Sequence, residues 1–132
     1  MNEHLWGQSW PLFLDDRRQL VRISGKAGAA SSLHLHAGKH NLFIVERGIL
    51  DLYYLIGLEG TWRGDATEML WKRLVSGDAY QVPAGTKHRM VFVVDTEGLE
   101  LYLAASEAAI DPADIQRFDE GWAPPVADRL ET

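Results

Sequence analysis

The chain has 132 residues, of which 46% are hydrophobic and 24% charged, as expected for one globular domain with a substantial core. The net charge of −6 argues against a dominant nucleic-acid or anionic-membrane partner, and no apolar run is long enough to span a membrane. The absence of cysteine excludes disulfides, thiolate ligands and a cysteine nucleophile, so any metal must be bound through nitrogen and oxygen.

The N-terminal residues come first in chain order. The first 14 residues contain Trp6, Trp10 and Phe13, which is too aromatic for a free tail. We expect this segment to pack on the rest of the domain or on a second subunit. It has no basic stretch followed by an apolar one, so no secretory signal is expected and a cytoplasmic location is predicted.

The dominant hydrophobic period after that segment is two, which indicates strands. The pattern predicts about eight short strands with turn residues between them. An antiparallel sandwich or barrel of the all-β class accounts for this series. The clearest candidates lie at residues 19–23, 42–45, 50–56, 69–75, 79–82, 88–94 and 99–103.

Two further segments break the strand pattern. Residues 57–66 contain three glycines and are predicted to form a loop between two long hairpin strands. Residues 111–118 begin with Asp111 and Pro112, an N-cap aspartate followed by proline at the first helical position. A short C-terminal helix that packs on the outside is therefore predicted.

A first motif places two histidines on one side of a strand. Gly28 is followed after five residues by His34 and His36, after four more by Asn41, and after six more by Gly48. Histidines two apart on a strand project from the same face.

A second motif presents another histidine after a turn. Gly77 is followed after five residues by Pro83 and Gly85, after two more by His88, and after three more by Phe92. A Pro-x-Gly turn can bring this strand beside the first one. Three imidazoles that converge inside a small β-fold would make a metal pocket.

Together the two motifs resemble those of the cupin superfamily, over residues 19–105. The resemblance implies a jelly-roll barrel that binds a divalent metal ion through His34, His36, His88 and Asn41. The alternative for each histidine is an ordinary hydrogen-bonded residue, and some cupins have lost their metal.

The chain departs from the cupin pattern at two positions. Asn41 stands where the family has a glutamate ligand, and Phe92 where it has an asparagine. A neutral amide binds a cation more weakly than a carboxylate, so three histidines with a weak fourth ligand favour Zn, Fe, Ni or Mn. His40 is predicted to lie beside the site, with Asn41 inside because of strand parity. His4 is predicted to lie on the surface.

The pocket wall is predicted from residues that share the face of the histidines. Tyr54, Met90 and Phe92 are the candidates for the substrate pocket, and an ordinary core position is the alternative for each aromatic residue. Lys87 and Arg89 are the nearest positive residues and would reach the mouth of the pocket to meet a phosphate.

Within the superfamily, residues 82–89 and 114–119 resemble segments of the mannose-6-phosphate isomerase-like cupins. This resemblance implies metal-assisted isomerisation of a sugar phosphate. No internal carboxylate base is apparent, because the glutamate position is Asn41. The alternatives are a three-histidine Fe(II) dioxygenase and a non-catalytic sugar- or metabolite-binding module.

The predicted organisation is an N-terminal arm at residues 1–18, a cupin barrel at 19–105, and a C-terminal helix and tail at 106–132 packed on the barrel. The resemblance implies a small-molecule ligand and a homodimer, and the negative net charge predicts no nucleic-acid or membrane partner.

Overall fold

The computed structural model describes residues 1–57 and 67–124, and these residues form an all-β protein. The prediction of an antiparallel β-fold is confirmed, with more strands than the sequence indicated. The strands are β1 (Asn2–His4), β2 (Gly7–Leu14), β3 (Arg18–Gly25), β4 (His34–Leu35), β5 (Lys39–Arg47), β6 (Ile49–Gly57), β7 (Thr67–Val75), β8 (Ala79–Val82), β9 (His88–Phe92), β10 (Thr96–Ala104) and β11 (Gln116–Arg117).

The strands form two antiparallel sheets. The six-stranded sheet has the order β1-β2-β3-β10-β5-β8, and the five-stranded sheet has the order β11-β4-β9-β6-β7. Strands from the two halves of the chain alternate in both sheets, because β10 lies between β3 and β5 and β9 lies between β4 and β6. This interleaving is consistent with a jelly roll.

The core consists of the residues that face inward from the two sheets. On β5 the buried and half-buried positions alternate, so that Lys39, Asn41, Phe43 and Val45 all point inward. The apolar members of the core are Trp6, Ile23, Ala29, Phe43, Val45, Leu50, Leu52, Leu74, Val82, Met90 and Phe92. Two polar residues on β5 therefore lie inside the protein beside an apolar core.

The N-terminal segment is part of a sheet. Strand β2 pairs with β3, and β1 pairs with β2 at the edge of the six-stranded sheet. Trp6 is buried and stacks on Phe92, with ring centroids 5.4 Å apart. The N-terminal residues thus extend the six-stranded sheet and help to close one end of the core.

Gly48 makes the tight turn between β5 and β6. Its φ angle is +103°, and a Cβ atom there would collide with Thr96 Oγ1 and with backbone atoms of Asp95. Glycine fits because it has no Cβ and adopts positive φ without strain. The last glycine of the first motif is therefore required by the turn.

The predicted C-terminal helix is wrong, because residues 111–118 form a turn followed by β11. Asp111 Oδ1 accepts a hydrogen bond from the Ala113 amide, which starts one turn only. The segment then extends and pairs with β4, and the Asp114 carboxylate accepts hydrogen bonds from the amides of Ala37 and Gly38. These tertiary hydrogen bonds outweigh a short, weak local helix preference.

The predicted loop at residues 57–66 lies outside the described residues after Gly57. In the portions of the chain that the structure covers, there is no helix of a length and hydropathy that would cross a membrane.

Candidate metal centre

Three histidines meet between the two sheets. His34 on β4 and His88 on β9 are direct cross-strand partners, and His36 follows two residues after His34. Their possible ligand atoms all lie within 4.8 Å of one another, and all three side chains are buried. The motif spacing thus brings together the three residues that the sequence predicted.

The three rings are held in one orientation by the backbone. In each ring, Nδ1 lies at hydrogen-bond distance from a carbonyl oxygen, which can only accept. Nδ1 must therefore carry the proton, and Nε2 keeps its lone pair. The carbonyl oxygens belong to Ser32, Asp114 and Thr86, at 2.8, 2.7 and 2.8 Å from His34, His36 and His88 respectively.

The free nitrogens fit a metal ion. Nε2 of His36 and Nε2 of His88 are buried and have no hydrogen-bond partner within residues 1–57 and 67–124. Leaving a buried polar atom unpaired is unfavourable, so two such nitrogens in one cluster of possible ligand atoms indicate a binding position for a ligand. Carbonyl oxygens that hold the other ring nitrogen are the usual support for metal-binding histidines. These three residues can bind a divalent metal ion.

Burial also keeps the imidazoles neutral. Burial is the main cause that lowers the pKa of His34 from 6.5 to about 2, and repulsion from a proton on His88 or His36 lowers it further. The pKa of His88 falls from 6.5 to about 4 for the same main reason. The pKa of His36 is also lowered by burial. Neutral imidazole is the form that binds a metal.

A cavity of about 360 Å³ opens beside the histidines. His34 and His36 line one side with Met90, and the inner face of the six-stranded sheet lines the other. The segment that contains Asp114 and Arg117 forms a further wall. This volume suits a ligand of sugar size.

The side of the cavity opposite the histidines carries a buried carboxyl group. Glu100 on β10 is 6% exposed, and its Oε2 accepts a hydrogen bond of 2.9 Å from the Tyr102 hydroxyl. The Tyr102 ring lies edge-on to the His36 ring, with centroids 5.1 Å apart. Burial raises the pKa of Glu100 and, even more strongly, that of Tyr102. A carboxyl group with a raised pKa can accept and return a proton near neutral pH.

Asn41 lies on β5 directly opposite Tyr102. Its side chain is buried, and in the described part of the chain neither of its polar atoms has a hydrogen-bond partner of normal geometry. The amide nevertheless lies close enough to Glu100 and Tyr102 to lower the pKa of each. The structure therefore places Asn41 inside the protein beside Glu100 and Tyr102.

The structure separates the other predicted pocket residues. Met90 lines the cavity beside the histidines, whereas Phe92 is fully buried in the core against Trp6. Tyr54 lines a second cavity of about 350 Å³, where its hydroxyl lies 3.2 Å from that of Tyr80. His40 is half-buried and accepts a hydrogen bond from a backbone amide through Nδ1.

The two positive residues predicted at the mouth have other contacts. Lys87 lies over the Phe118 ring at 4.1 Å, and Arg89 pairs with Asp119 and lies over the Trp122 ring. Neither residue lines the cavity beside the histidines.

His4, predicted on the surface, is half-buried and lines this cavity. Its Nε2 lies 2.7 Å from Ser9 Oγ, and its ring stacks on Trp6.

Glu100, Lys39 and Asp114 are the site residues that the sequence analysis missed. The sequence did carry a signal for the first two. Glu100 alternates with leucines on the predicted strand that became β10, and Lys39 lies two residues before Asn41 on β5. On β10, however, the alternation of leucine with polar residues does not say which face is inside. The structure places Glu100 and Tyr102 inside and Leu99, Leu101 and Leu103 on the outer, half-buried face.

Comparison with known proteins gives a likeness of fold. No protein-family model matches the chain, and no curated protein matches it. Among solved structures, KdgF from Halomonas sp. is similar, with a TM-score of 0.63 and 19% identity over 81% of this chain and 86% of that one.

Two oxalate decarboxylases are also similar in fold. The enzyme from Bacillus subtilis has a TM-score of 0.68 and 15% identity over 87% of this chain. The enzyme from Lactobacillus farciminis, in a formate complex, has a TM-score of 0.68 and 15% identity over 89% of this chain. The chain spans only 28% and 33% of the lengths of these two proteins. At such identities the likeness concerns the fold alone.

Proposed function

We propose that this chain, whose fold is like that of KdgF and the oxalate decarboxylases, is a cupin and a metal-dependent enzyme that moves a proton on a small sugar-like molecule, as an isomerase does. The observation that supports this proposal best is the buried Glu100–Tyr102 pair in the same cavity as the three histidines. Closer kinship with mannose-6-phosphate isomerase-like cupins stays a prediction from the sequence, as does a cytoplasmic location.

In the proposed site His34, His36 and His88 hold the metal, and Asn41 offers a neutral oxygen for a fourth position. A bound Zn, Fe, Ni or Mn ion would polarise a carbonyl oxygen of the substrate. The backbone carbonyls fix the ring orientations, so little reorganisation is needed when the ion binds.

Glu100 is the proposed acid–base group. Isomerisation takes a proton from one carbon and returns it to the neighbouring carbon, which one carboxyl group can do if its pKa is near the working pH. Burial raises the pKa of Glu100, and the Tyr102 hydroxyl orients the carboxyl by donating to it. Met90 provides an apolar surface beside the reacting carbons.

A dioxygenase remains a second candidate, because the cluster offers three neutral histidines and no carboxylate. This donor set resembles that of three-histidine iron oxygenases. Consumption of oxygen by the Fe(II)-loaded protein with a thiol substrate would favour this alternative, since isomerisation needs no oxygen.

The first experiment is elemental mass spectrometry of protein purified without a histidine tag. We expect about one metal ion per chain, lost in a His34→Ala/His88→Ala double variant and kept in the matched control His40→Ala. No metal in the wild type, and none taken up from added Fe, Zn, Ni or Mn, would contradict the proposal. A non-catalytic binding module would then be the better account.

The second experiment tests proton transfer on a set of candidate substrates. A panel of aldoses, ketoses and sugar acids is incubated in D₂O, and exchange of the hydrogen next to the carbonyl is followed by NMR. We expect exchange with the wild type and a loss of about a hundredfold or more in Glu100→Gln with unchanged metal content. Equal exchange in both proteins would remove Glu100 from the mechanism.

We also propose that the protein is a homodimer through the outer face of the six-stranded sheet. Phe13, Leu20, Leu101 and Leu42 are successive cross-strand neighbours and form an apolar row on this face. Light scattering should give a dimer for the wild type and a monomer for Leu101→Glu. Val94→Glu alters an exposed apolar residue outside this row and should stay dimeric. A monomeric wild type would contradict this proposal.

A further inference from the structure

Lys39 is a buried charged residue in the cavity. It is the first residue of β5, is only 2% exposed, and points inward on the same face as Asn41. The cavity wall includes its side chain. Burying an ammonium group is unfavourable unless an opposite charge or several hydrogen bonds compensate. The interior position of Lys39 therefore needs a reason.

The contacts of Lys39 compensate this cost only in part. Its Nζ donates to Gln19 Oε1 at 3.0 Å and to the Asp111 carbonyl at 3.1 Å, and it lies 4.4 Å from the centre of the Tyr102 ring. All three partners are neutral. No ion pair of Lys39 is present among residues 1–57 and 67–124.

The carboxyl groups of Asp114, Glu100 and Asp111 favour the charged form of Lys39 through space, but none of them forms an ion pair with it within residues 1–57 and 67–124. The Asp114 carboxylate accepts hydrogen bonds from the amides of Ala37 and Gly38, and Glu100 accepts one from Tyr102. An ammonium group has three N–H donors, of which Gln19 and Asp111 use two. One N–H donor of Lys39 therefore remains for a ligand in the cavity.

We propose that Lys39 binds a carboxylate of the substrate, so that the substrate is a small organic acid such as a sugar acid. This inference rests on the proposed function and names its substrate class. Arg117 lines the same cavity and adds positive charge. A carboxylate carries one negative charge, which matches the single ammonium charge of Lys39, whereas a phosphate ester carries close to two.

The test uses matched pairs of acids and neutral analogues. Thermal unfolding of the zinc-loaded protein is measured with gluconate against sorbitol, lactate against lactamide, and acetate against acetamide, at constant ionic strength. Glucose 6-phosphate against glucose provides a phosphate arm. The variant is Lys39→Met, which keeps an unbranched side chain one atom shorter and removes the charge. The control is Lys26→Met, which removes the same charge from an exposed position.

We expect at least one acid to raise the melting temperature more than its neutral analogue, in the wild type and in Lys26→Met. In Lys39→Met this preference should vanish, with the dissociation constant of that acid weakened about tenfold or more. The same substitution should preserve metal content and should not lower the melting temperature without ligand, because it removes a buried charge. This combination separates ligand binding from a structural role.

The absence of any acid preference in the wild type, or an equal preference in Lys39→Met, would overturn the proposal. A preference for glucose 6-phosphate alone, lost in Lys39→Met, would overturn the choice of carboxylate. Metal content and deuterium exchange test the proposed function separately. If no metal binds, the same pairs are measured on the metal-free protein, so that failure of the enzyme proposal does not hide the result for Lys39.

Discussion

Acid should destabilise the metal-free protein through its buried histidines. Burial, more than any other cause, lowers the pKa of His88 from 6.5 to about 4, with a further decrease from His36 and an opposing increase from the Thr86 carbonyl. The unfolded chain therefore binds a proton at His88 below pH 6.5, whereas the folded protein resists it until about pH 4. Stability is full above pH 6.5 and decreases as the pH falls through this window.

The magnitude follows from the size of the shift. One pKa unit corresponds to about 1.4 kcal/mol, so the shift of His88 amounts to about 3 kcal/mol in total. Between pH 7 and pH 4.5 the linkage relation gives a loss of about 2 kcal/mol from this residue. His34, whose pKa is also lowered by burial and by His88, adds to the loss in the wild type.

The assay is urea unfolding at pH 7 and pH 4.5 with a chelator present, followed by tryptophan fluorescence. Between the two pH values the free energy of unfolding should fall in both proteins. The fall should be smaller in His88→Gln than in the wild type, by at least about 2 kcal/mol. His40→Gln changes a histidine outside the cluster and should keep most of the wild-type loss. Equal losses in the wild type and His88→Gln would refute the reasoning.

Three more predictions concern backbone, loop and cavity. Gly48→Ala should lower the free energy of unfolding in urea by more than about 2 kcal/mol, because the added methyl group collides with backbone. Gly77→Ala has open space around it and should lower that free energy by about 1 kcal/mol. Equal losses would contradict this prediction. Asp114→Ala should weaken zinc binding about tenfold in a chelator competition, because it frees the backbone that follows His36; unchanged affinity would show that this anchor is unnecessary. Glu100→Gln should stabilise the metal-free protein at pH 8 but not at pH 4. Burial raises the pKa of the Glu100 carboxyl group, so ionisation of that group at higher pH destabilises the wild type. An equal stability difference between the two proteins at both pH values would argue against this prediction.

The strands and the histidine cluster were largely predictable. Period-two alternation depends only on the geometry of an extended chain, so the seven clearest strand candidates could be read directly. The His34-x-His36 spacing and the turn before His88 could also be predicted, because each depends on the local geometry of a few residues. Cross-strand pairing of His34 with His88 then confirms that the two motifs converge.

The C-terminal segment could not be predicted, because its local and tertiary preferences differ. Asp111 and Pro112 favour the start of a helix, but a helix of about two turns is marginal by itself. Asp114 makes two hydrogen bonds to residues 37–38 and one through its carbonyl to His36. These partners are more than 70 residues away in the chain.

By itself, the sequence determined the class of fold, the glycine turns and the identity of the three converging histidines, because strand period, backbone sterics and residue spacing act over a few residues. Only the tertiary structure decided that Glu100 and Lys39 face the cavity, that Phe92 belongs to the core and that Tyr54 lines another cavity. Alternation fixes which residues share a face of a strand, but the sheet that packs against that strand decides which face is inside.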